Sequence, residues 1–404
     1  PEATYVLERL IDRAAAELKV DSAELRARNL PASVTAPFTA VTGLPIEGGR
    51  FLDNQRLCLE RADRAGFAER RAEAASRGRL RGFGFANYLE ANGGLQVSAA
   101  IAPGGLPHEC AAIKFGPDGS VTATIGTQSS GQDHARPVAL YLSRTLGLAL
   151  ESIVVREGDS DALRVGGGTG GSKSTLTSSV AITRATDVVV AKARLLAART
   201  WNVRAEAIRF DRGVFSVAGS RRTTSVATLA AKHPGLLDSE AEAALQHGST
   251  ANGCHACEIE IDPETGAVEI VRYTAVDDFG RVIDAANVRG QVQGGVAMGI
   301  GQALTEIAPT PEALQRPLAT SNFNHALRRA AEIPIVDWVD NGMPSSTNVF
   351  GAKACAESGA SAAPPTVMNA IADALSDYPR ARDLQMPARP ADVWAAVAAG
   401  ARAG

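Results

Sequence analysis

No apolar run in this 404-residue chain approaches the length a membrane-spanning helix needs, and the opening P-E-A-T-Y-V-L-E-R-L lacks the basic and then apolar layout of a secretory signal. Those absences leave no address to a membrane. An excess of positive charge is missing too: the formal net charge is -3, which gives no electrostatic case for nucleic acid or an anionic surface. Cysteine is scarce. Cys58, Cys110, Cys254, Cys257 and Cys355 are too few and too scattered for a disulfide scaffold. Free thiols in a reducing, cytoplasmic setting are expected, with the periplasm reached only if a partner carried an export signal. The stretch C-H-A-C at 254–257 lacks a second ligand pair, and strand alternation turns Cys254 and Cys257 to opposite faces, so it reads as packing.

What is present is a globular composition, 45% hydrophobic and 21% charged, enough for two or three packed units. The chain starts at Pro1 without Met and is patterned as a helix at once. Val6, Leu7, Leu10, Ile11, Ala14, Ala15 and Leu18 form one apolar stripe, and a preceding segment is expected. A second helix follows Asp21 and Ser22, and a charge-rich arm runs to about Arg79. From R-G-F-G-F-A-N-Y-L-E (81–90), a strand whose glycines permit close backbone contact, the pattern becomes mixed. S-V-T-A-T-I-G-T-Q, H-A-R-P-V-A-L-Y-L-S-R-T-L-G-L and S-I-V-V-R-E-G-D read as strand, helix, strand. Helices are expected at about 176–200, 292–304 and, last, 367–375, with a hairpin across D-P-E-T-G. The expected fold is α+β: a helical arm over 1–79, then two mixed α/β lobes at 80–248 and 249–404, divided near Gly248.

Two glycine-rich loops, G-T-Q-S-S-G-Q-D-H (126–134) and V-G-G-G-T-G-G-S-K-S-T (165–175), each lead into a helix. Free backbone N–H groups and the helix dipole suit an anion there, and the lack of Cβ atoms lets a flat ligand lie on the main chain. The second loop is a near miss to a nucleotide-binding P-loop, because Ser172 stands between Gly171 and Lys173 and puts the lysine out of register. In G-A-K-A-C-A-E-S-G-A-S-A-A-P-P (351–365), Glu357 is a carboxylate in a setting of small residues, which suggests tight packing or a close ligand.

Five segments in order resemble the molybdenum-binding large subunit of the xanthine dehydrogenase and carbon monoxide dehydrogenase family, the molybdenum hydroxylases. They are G-T-Q-S-S-G-Q-D-H; G-D-S-D with G-G-G-T-G-G-S-K-S-T; D-D-F-G-R-V-I-D-A-A-N-V-R-G-Q-V-Q-G-G-V-A-M-G-I-G-Q-A-L; G-A-K-A-C-A-E-S-G; and A-P-P-T-V-M-N-A-I-A-D-A-L. The resemblance implies the family's second cofactor-binding domain and a molybdopterin cytosine dinucleotide whose molybdenum is held through the pterin, with no protein metal ligand. It places Gly131, Gln132, Gly170, Gly171, Ser172, Lys173, Ser174 and Thr175 on the cofactor, Gln291 near the metal's oxo group, and Glu357 as the active-site base. The implied reaction inserts a water-derived oxygen into a C–H bond of an aldehyde or aromatic N-heterocycle. Carbon monoxide chemistry or a non-catalytic paralogue is the alternative. Implied partners are an N-terminal half of the same subunit, an iron-sulfur subunit and an FAD subunit. The chain departs from the family in Ala356, where a glycine usually precedes the glutamate, and in its length, about half that of a large subunit. It therefore resembles the C-terminal half of a split or cleaved subunit. Burial would raise the pKa of Glu357, and a nearby metal charge would lower it.

Overall fold

A computed structural model describes residues 1–93, 108–307 and 326–401. The arm holds α1 (Glu2–Leu18), α2 (Ser22–Asn29), a two-stranded ribbon of β1 (Phe38–Thr39) and β2 (Pro45–Ile46), α3 (Phe51–Arg61) and α4 (Phe67–Ser76). Asp21 caps α2 by accepting from the Ala23 and Glu24 amides. Val6, Leu7, Leu10 and Leu18 of the apolar stripe lie exposed. The inward face of α1 carries Ala15 and Glu8 instead, Glu8 being paired at 2.7 Å with the buried guanidinium of Arg26.

Next come β3 (Leu80–Asn92), β4 (His108–Phe115), β5 (Val121–Ile125), α5 (Ala135–Leu146), β6 (Ile153–Glu157) and the long α6 (Ser174–Trp201). A small sheet of β7 (Ile208–Asp211), β8 (Val214–Val217) and β9 (Thr223–Ser225) leads to α7 (Val226–Lys232) and β10 (Ser239–Ala244). The last part contains β11 (Ser249–Ile261), β12 (Val268–Asp278), α8 (Ala285–Leu304), β13 (Asp337–Asp340), α9 (Ser358–Ala374) and α10 (Pro390–Ala401).

Two four-stranded mixed sheets organise this α+β chain. One has the order β10-β4-β5-β6, with β5 and β6 parallel across the α5 crossover, and Ile182, Ala185 and Val189 of α6 pack into its core beside Ile113 and Ile125. The other has the order β13-β12-β11-β3. Here β3, from one side of the expected division at Gly248, pairs along its whole length with β11, from the other, in register from Leu80↔Ile261 to Asn92↔Ser249. The two strand partners are far apart in sequence, so no local pattern announces the pairing. Each proposed division, 80–248 and 249–404, also includes residues outside those described.

The sequence expectation for the last helices is corrected. Helix α9 begins at Ser358, not Val367, and runs through Pro364 and Pro365, while α10 follows it. An interior proline costs about 3 kcal/mol or more, which is why the sequence reading starts the helix after the pair. Burial outweighs that penalty, because every residue from Ser358 to Ile371 is buried. Helix α8 likewise starts at Ala285, capped by Asp284, seven residues before the apolar period becomes visible at Val292.

The backbone of α9 lies directly on β3. A Cβ at Gly84 would stand 2.2 Å from the Ala370 nitrogen and 2.3 Å from the Thr366 oxygen, so only glycine allows this approach. Helix and strand run in opposite directions, with Gly82 under Ala374 and Gly84 under Thr366. Continuing along the strand past the N-terminal half of the helix brings Glu90 to the segment just before α9, beside Glu357. Nearby, C-H-A-C is divided as strand alternation requires. Cys254 joins the cluster under the arm, Cys257 faces the α9 side, and His255 contacts Tyr273 at 3.0 Å and Asp277 at 3.1 Å. All five cysteines are free, and no group of three metal-ligating side chains gathers among the described residues.

Candidate functional site

Four helix N-termini meet at one cleft of about 200 Å³ between the two sheets, those of α5, α6, α8 and α9. The N-caps of α6 and α9, Lys173 and Glu357, make no side-chain capping bond, so their first-turn N–H groups keep donor capacity toward the cleft. Asp284 caps α8 and pairs with Arg136 of α5, which ties two of the four helix starts together. Asn287 Nδ2 also donates to the Gln132 carbonyl at 3.2 Å.

The two glycine-rich loops are held together by one carboxylate that sequence reasoning missed. Glu109 of β4 has no solvent exposure. Its Oε1 accepts from the Gly126 amide at 2.9 Å and the Cys110 amide at 3.0 Å, and its Oε2 accepts from the Gly167 amide at 3.4 Å. Burial raises its pKa, and the three amides oppose that shift. The loops touch so closely that a Cβ on Gly126 would lie 2.4 Å from the Gly166 Cα. Thr169 adds a strap, donating to the Gln128 carbonyl at 2.6 Å. The one available sequence signal was an acid inside the otherwise apolar run E-C-A-A-I. Glu109→Ala leaves two or three buried amides without an acceptor, so the expected loss of stability is roughly 2–4 kcal/mol, read as a lower denaturant midpoint.

The loop carrying Glu357 is pinned from below. Lys353 Nζ, buried, bonds Asp278 Oδ2 at 2.8 Å and the Gly48 carbonyl at 3.2 Å. The Asp278 carboxylate also accepts from the Gly280 and Met343 amides at 3.0 and 2.8 Å. The Ala354 amide donates to Asn92 Oδ1 at 3.3 Å.

Of the residues expected at the site, Gln132, Gly170, Ser172, Ser174, Thr175, Gln291 and Glu357 line the cleft. Gly131, Gly171 and Lys173 sit in the same loops but do not form its wall. Gly171 instead gives its carbonyl to the Gly93 amide at 3.2 Å, and the Lys173 carbonyl accepts from the Thr177 amide at 2.9 Å. Ser172 has φ 51, a conformation that non-glycine residues adopt at a cost and that clusters at functional sites. Its Oγ contacts two carboxylates, Glu357 Oε2 and Glu90 Oε1, the latter at 2.7 Å. Glu90 is the second residue the sequence did not reveal. Burial, reinforced by Glu357, pushes Glu90 up to about 8. Glu357, exposed at the cleft mouth, is held below the usual carboxylate range by hydrogen bonding with Glu90 and then Ser172. Burial thus dominates at Glu90, while at Glu357 the hydrogen bonds outweigh it.

The cleft suits a large anionic group. A Cβ on Gly170 would meet nothing within 4 Å, so bare main chain borders open space in the cleft, and the cleft-lining His134 leaves a buried Nδ1 without a hydrogen bond. Main-chain donors, helix dipoles and hydroxyls are the chemistry that grips phosphate and pterin edges.

Helix N-termini, hydroxyls and bare main chain around one cleft are the features of a cofactor-binding domain. A sequence profile of the molybdopterin cofactor-binding domain matches residues 57–334, and the chain belongs to that family, within the molybdenum hydroxylase large subunits. It is 31% identical to the nicotine 6-hydroxylase large subunit of Paenarthrobacter nicotinovorans, over 96% of this chain and 49% of that one. It is also 31% identical to the carbon monoxide dehydrogenase large chain of Hydrogenophaga pseudoflava, over 97% of this chain and 50% of that one. The crystal structure of a Cu,Mo-CO dehydrogenase superposes with TM-score 0.89 at 27% identity, over 99% of this chain and 52% of that one. Quinoline 2-oxidoreductase from Pseudomonas putida 86 gives 0.86 at 27%, over 98% of this chain and 52% of that one. The chain thus spans about half the length of these relatives. No helix among the described residues is long and apolar enough to cross a membrane.

Proposed function

We propose that this chain is the part of a molybdenum hydroxylase large subunit that cradles molybdopterin cytosine dinucleotide and supplies the base, Glu357. The observation that carries the reading is the Glu357 carboxylate standing at the mouth of a cleft ringed by helix N-termini. The bound cofactor supplies the two-electron redox chemistry and activates water. This chain's share is positioning and proton transfer. The first turns of α5 and α6, with Gln132, Ser174 and Thr175, hold anionic oxygens, and bare main chain at Gly170 lets a flat ring system approach. Gln291, two turns into α8, presents an amide to the reacting end. Glu357 Oε1 accepts the proton released as oxygen is inserted into a C–H bond, while Ser172 holds Oε2.

The substrate class is an aldehyde or an aromatic N-heterocycle. Similarity to a carbon monoxide dehydrogenase large chain, equal to that with the nicotine enzyme, keeps carbon monoxide as the second reading. By likeness to the large subunits it matches, the partners proposed for it are an N-terminal part of the subunit, an iron-sulfur subunit and an FAD subunit, which would carry the electrons away. Free cysteines favour the cytoplasm.

The test is metal and nucleotide analysis of the purified complex. Stoichiometric molybdenum with a pterin and a cytidine nucleotide is expected. A complex that turns over with iron and flavin but no molybdenum would overturn the reading.

A further inference from the structure

A serine hydroxyl carries a single hydrogen. Ser172 Oγ stands within hydrogen-bond reach of both Glu90 Oε1 and Glu357 Oε2, so it can donate to only one of them. If both carboxyls were ionised, one of those contacts would set oxygen lone pairs against each other. One acid must therefore carry a proton and donate it to Ser172. Position decides which: Glu90 is half-buried with its Oε2 sealed from solvent, whereas Glu357 is exposed.

We propose that Glu90 is a positioning residue for Glu357: neutral, it donates to Ser172, whose own hydrogen is thereby aimed at Glu357 and keeps that carboxylate ionised and oriented to accept a proton. This rests on reading Glu357 as the base. The left-handed backbone at Ser172 has its purpose here, because it brings the hydroxyl between the two acids.

The groups facing Glu90 allow a clean pH test. Asn92 and Tyr88 lie on its own strand, Cys355 and Glu357 on the loop before α9, and Ser172 on the glycine-rich loop. Burial raises Tyr88 well above its ordinary value and raises Cys355 to about 12, so both stay protonated where enzymes are assayed. Between mildly acidic and mildly alkaline pH, only the two glutamates among these groups change charge. As pH rises through about 8, Glu90 ionises, Ser172 is left with one hydrogen between two anions, and turnover falls.

The experiment compares wild type, Glu90→Gln, Glu90→Leu and Glu357→Gln in the purified complex at measured molybdenum content. Glu90→Gln keeps a donor but cannot ionise, so its profile loses the alkaline fall. Glu90→Leu removes the donor and lowers turnover at neutral pH by roughly 10–100-fold, the worth of a hydrogen bond to a charged group, with part of that loss restored by glutamine. Independently of activity, infrared difference spectra at neutral pH between wild type and Glu90→Gln show the carbonyl stretch of a protonated carboxyl that the variant lacks. Should that band and the alkaline fall both persist in Glu90→Gln, Glu90 does not hold the proton and the inference is wrong, while the reading of Glu357 stands or falls on its own variant. If Glu90→Leu does not fold, Glu90→Gln alone still decides.

Discussion

Glu357→Gln, assayed in the full complex, keeps its molybdenum and loses roughly 10²–10⁴-fold in turnover, the usual contribution of a general base. Glutamine has nearly the same shape, accepts from Ser172 through its amide oxygen, and cannot take up a proton. The pH profile gives the sign. In wild type, lowering the pH protonates Glu357 and turnover falls. Because Glu90 and Ser172 hold Glu357 below the ordinary carboxylate range, that acid limb lies lower than for a free glutamate. The variant has no such limb. Turnover above about a tenth of wild type at normal molybdenum content would return Glu357 to the rank of a loop residue.

Lys353→Met unfolds the lobe under much milder conditions, with an expected loss of about 3–5 kcal/mol. The Lys353–Asp278 pair has both side chains fully buried, and methionine fills the stem but leaves a carboxylate without its cation. Two amides and Asn252 still reach Asp278, yet none of them carries charge. A denaturant midpoint measures the effect, and adding Asp278→Asn recovers part of it because the uncompensated charge is then gone. If Lys353→Met alone were neutral, the loop before α9 would be held by its backbone bonds. Turnover should fall along with stability, because the same lysine anchors the loop that ends in Glu357.

The stretch 351–365 illustrates what a sequence can and cannot disclose. A charged side chain among glycines and alanines signals close packing, and that signal applied to Lys353 as much as to Glu357. Only the structure separates them, one locked onto Asp278 in the core and the other at the mouth of the cleft. Local periodicity made α6 and the β11–β12 hairpin legible, since their residues answer to neighbours close in the chain. The pairing of β3 with β11 was invisible, and so was Glu90, because its significance lies wholly in residues 172 and 357. The two prolines hid the first half of α9 because their local penalty is readable in sequence and the burial that outweighs it is not.

The clasp at Glu109 bears on how this cleft can change over generations or in an engineer's hands. Loops on a rigid scaffold usually vary independently, and that freedom is what lets one fold acquire many specificities. Here a single side chain accepts from both glycine-rich loops, and the backbones at Gly126 and Gly166 leave no slack between them. Inserting a residue in one loop displaces the other, so the pair behaves as one heritable module. A graft that exchanges residues 126–134 alone should fail where an exchange of 126–134 together with 165–175 succeeds. Novelty in substrate choice is then left to the parts of the cleft wall this clasp does not touch, the start of α8 and the segment leading to α9.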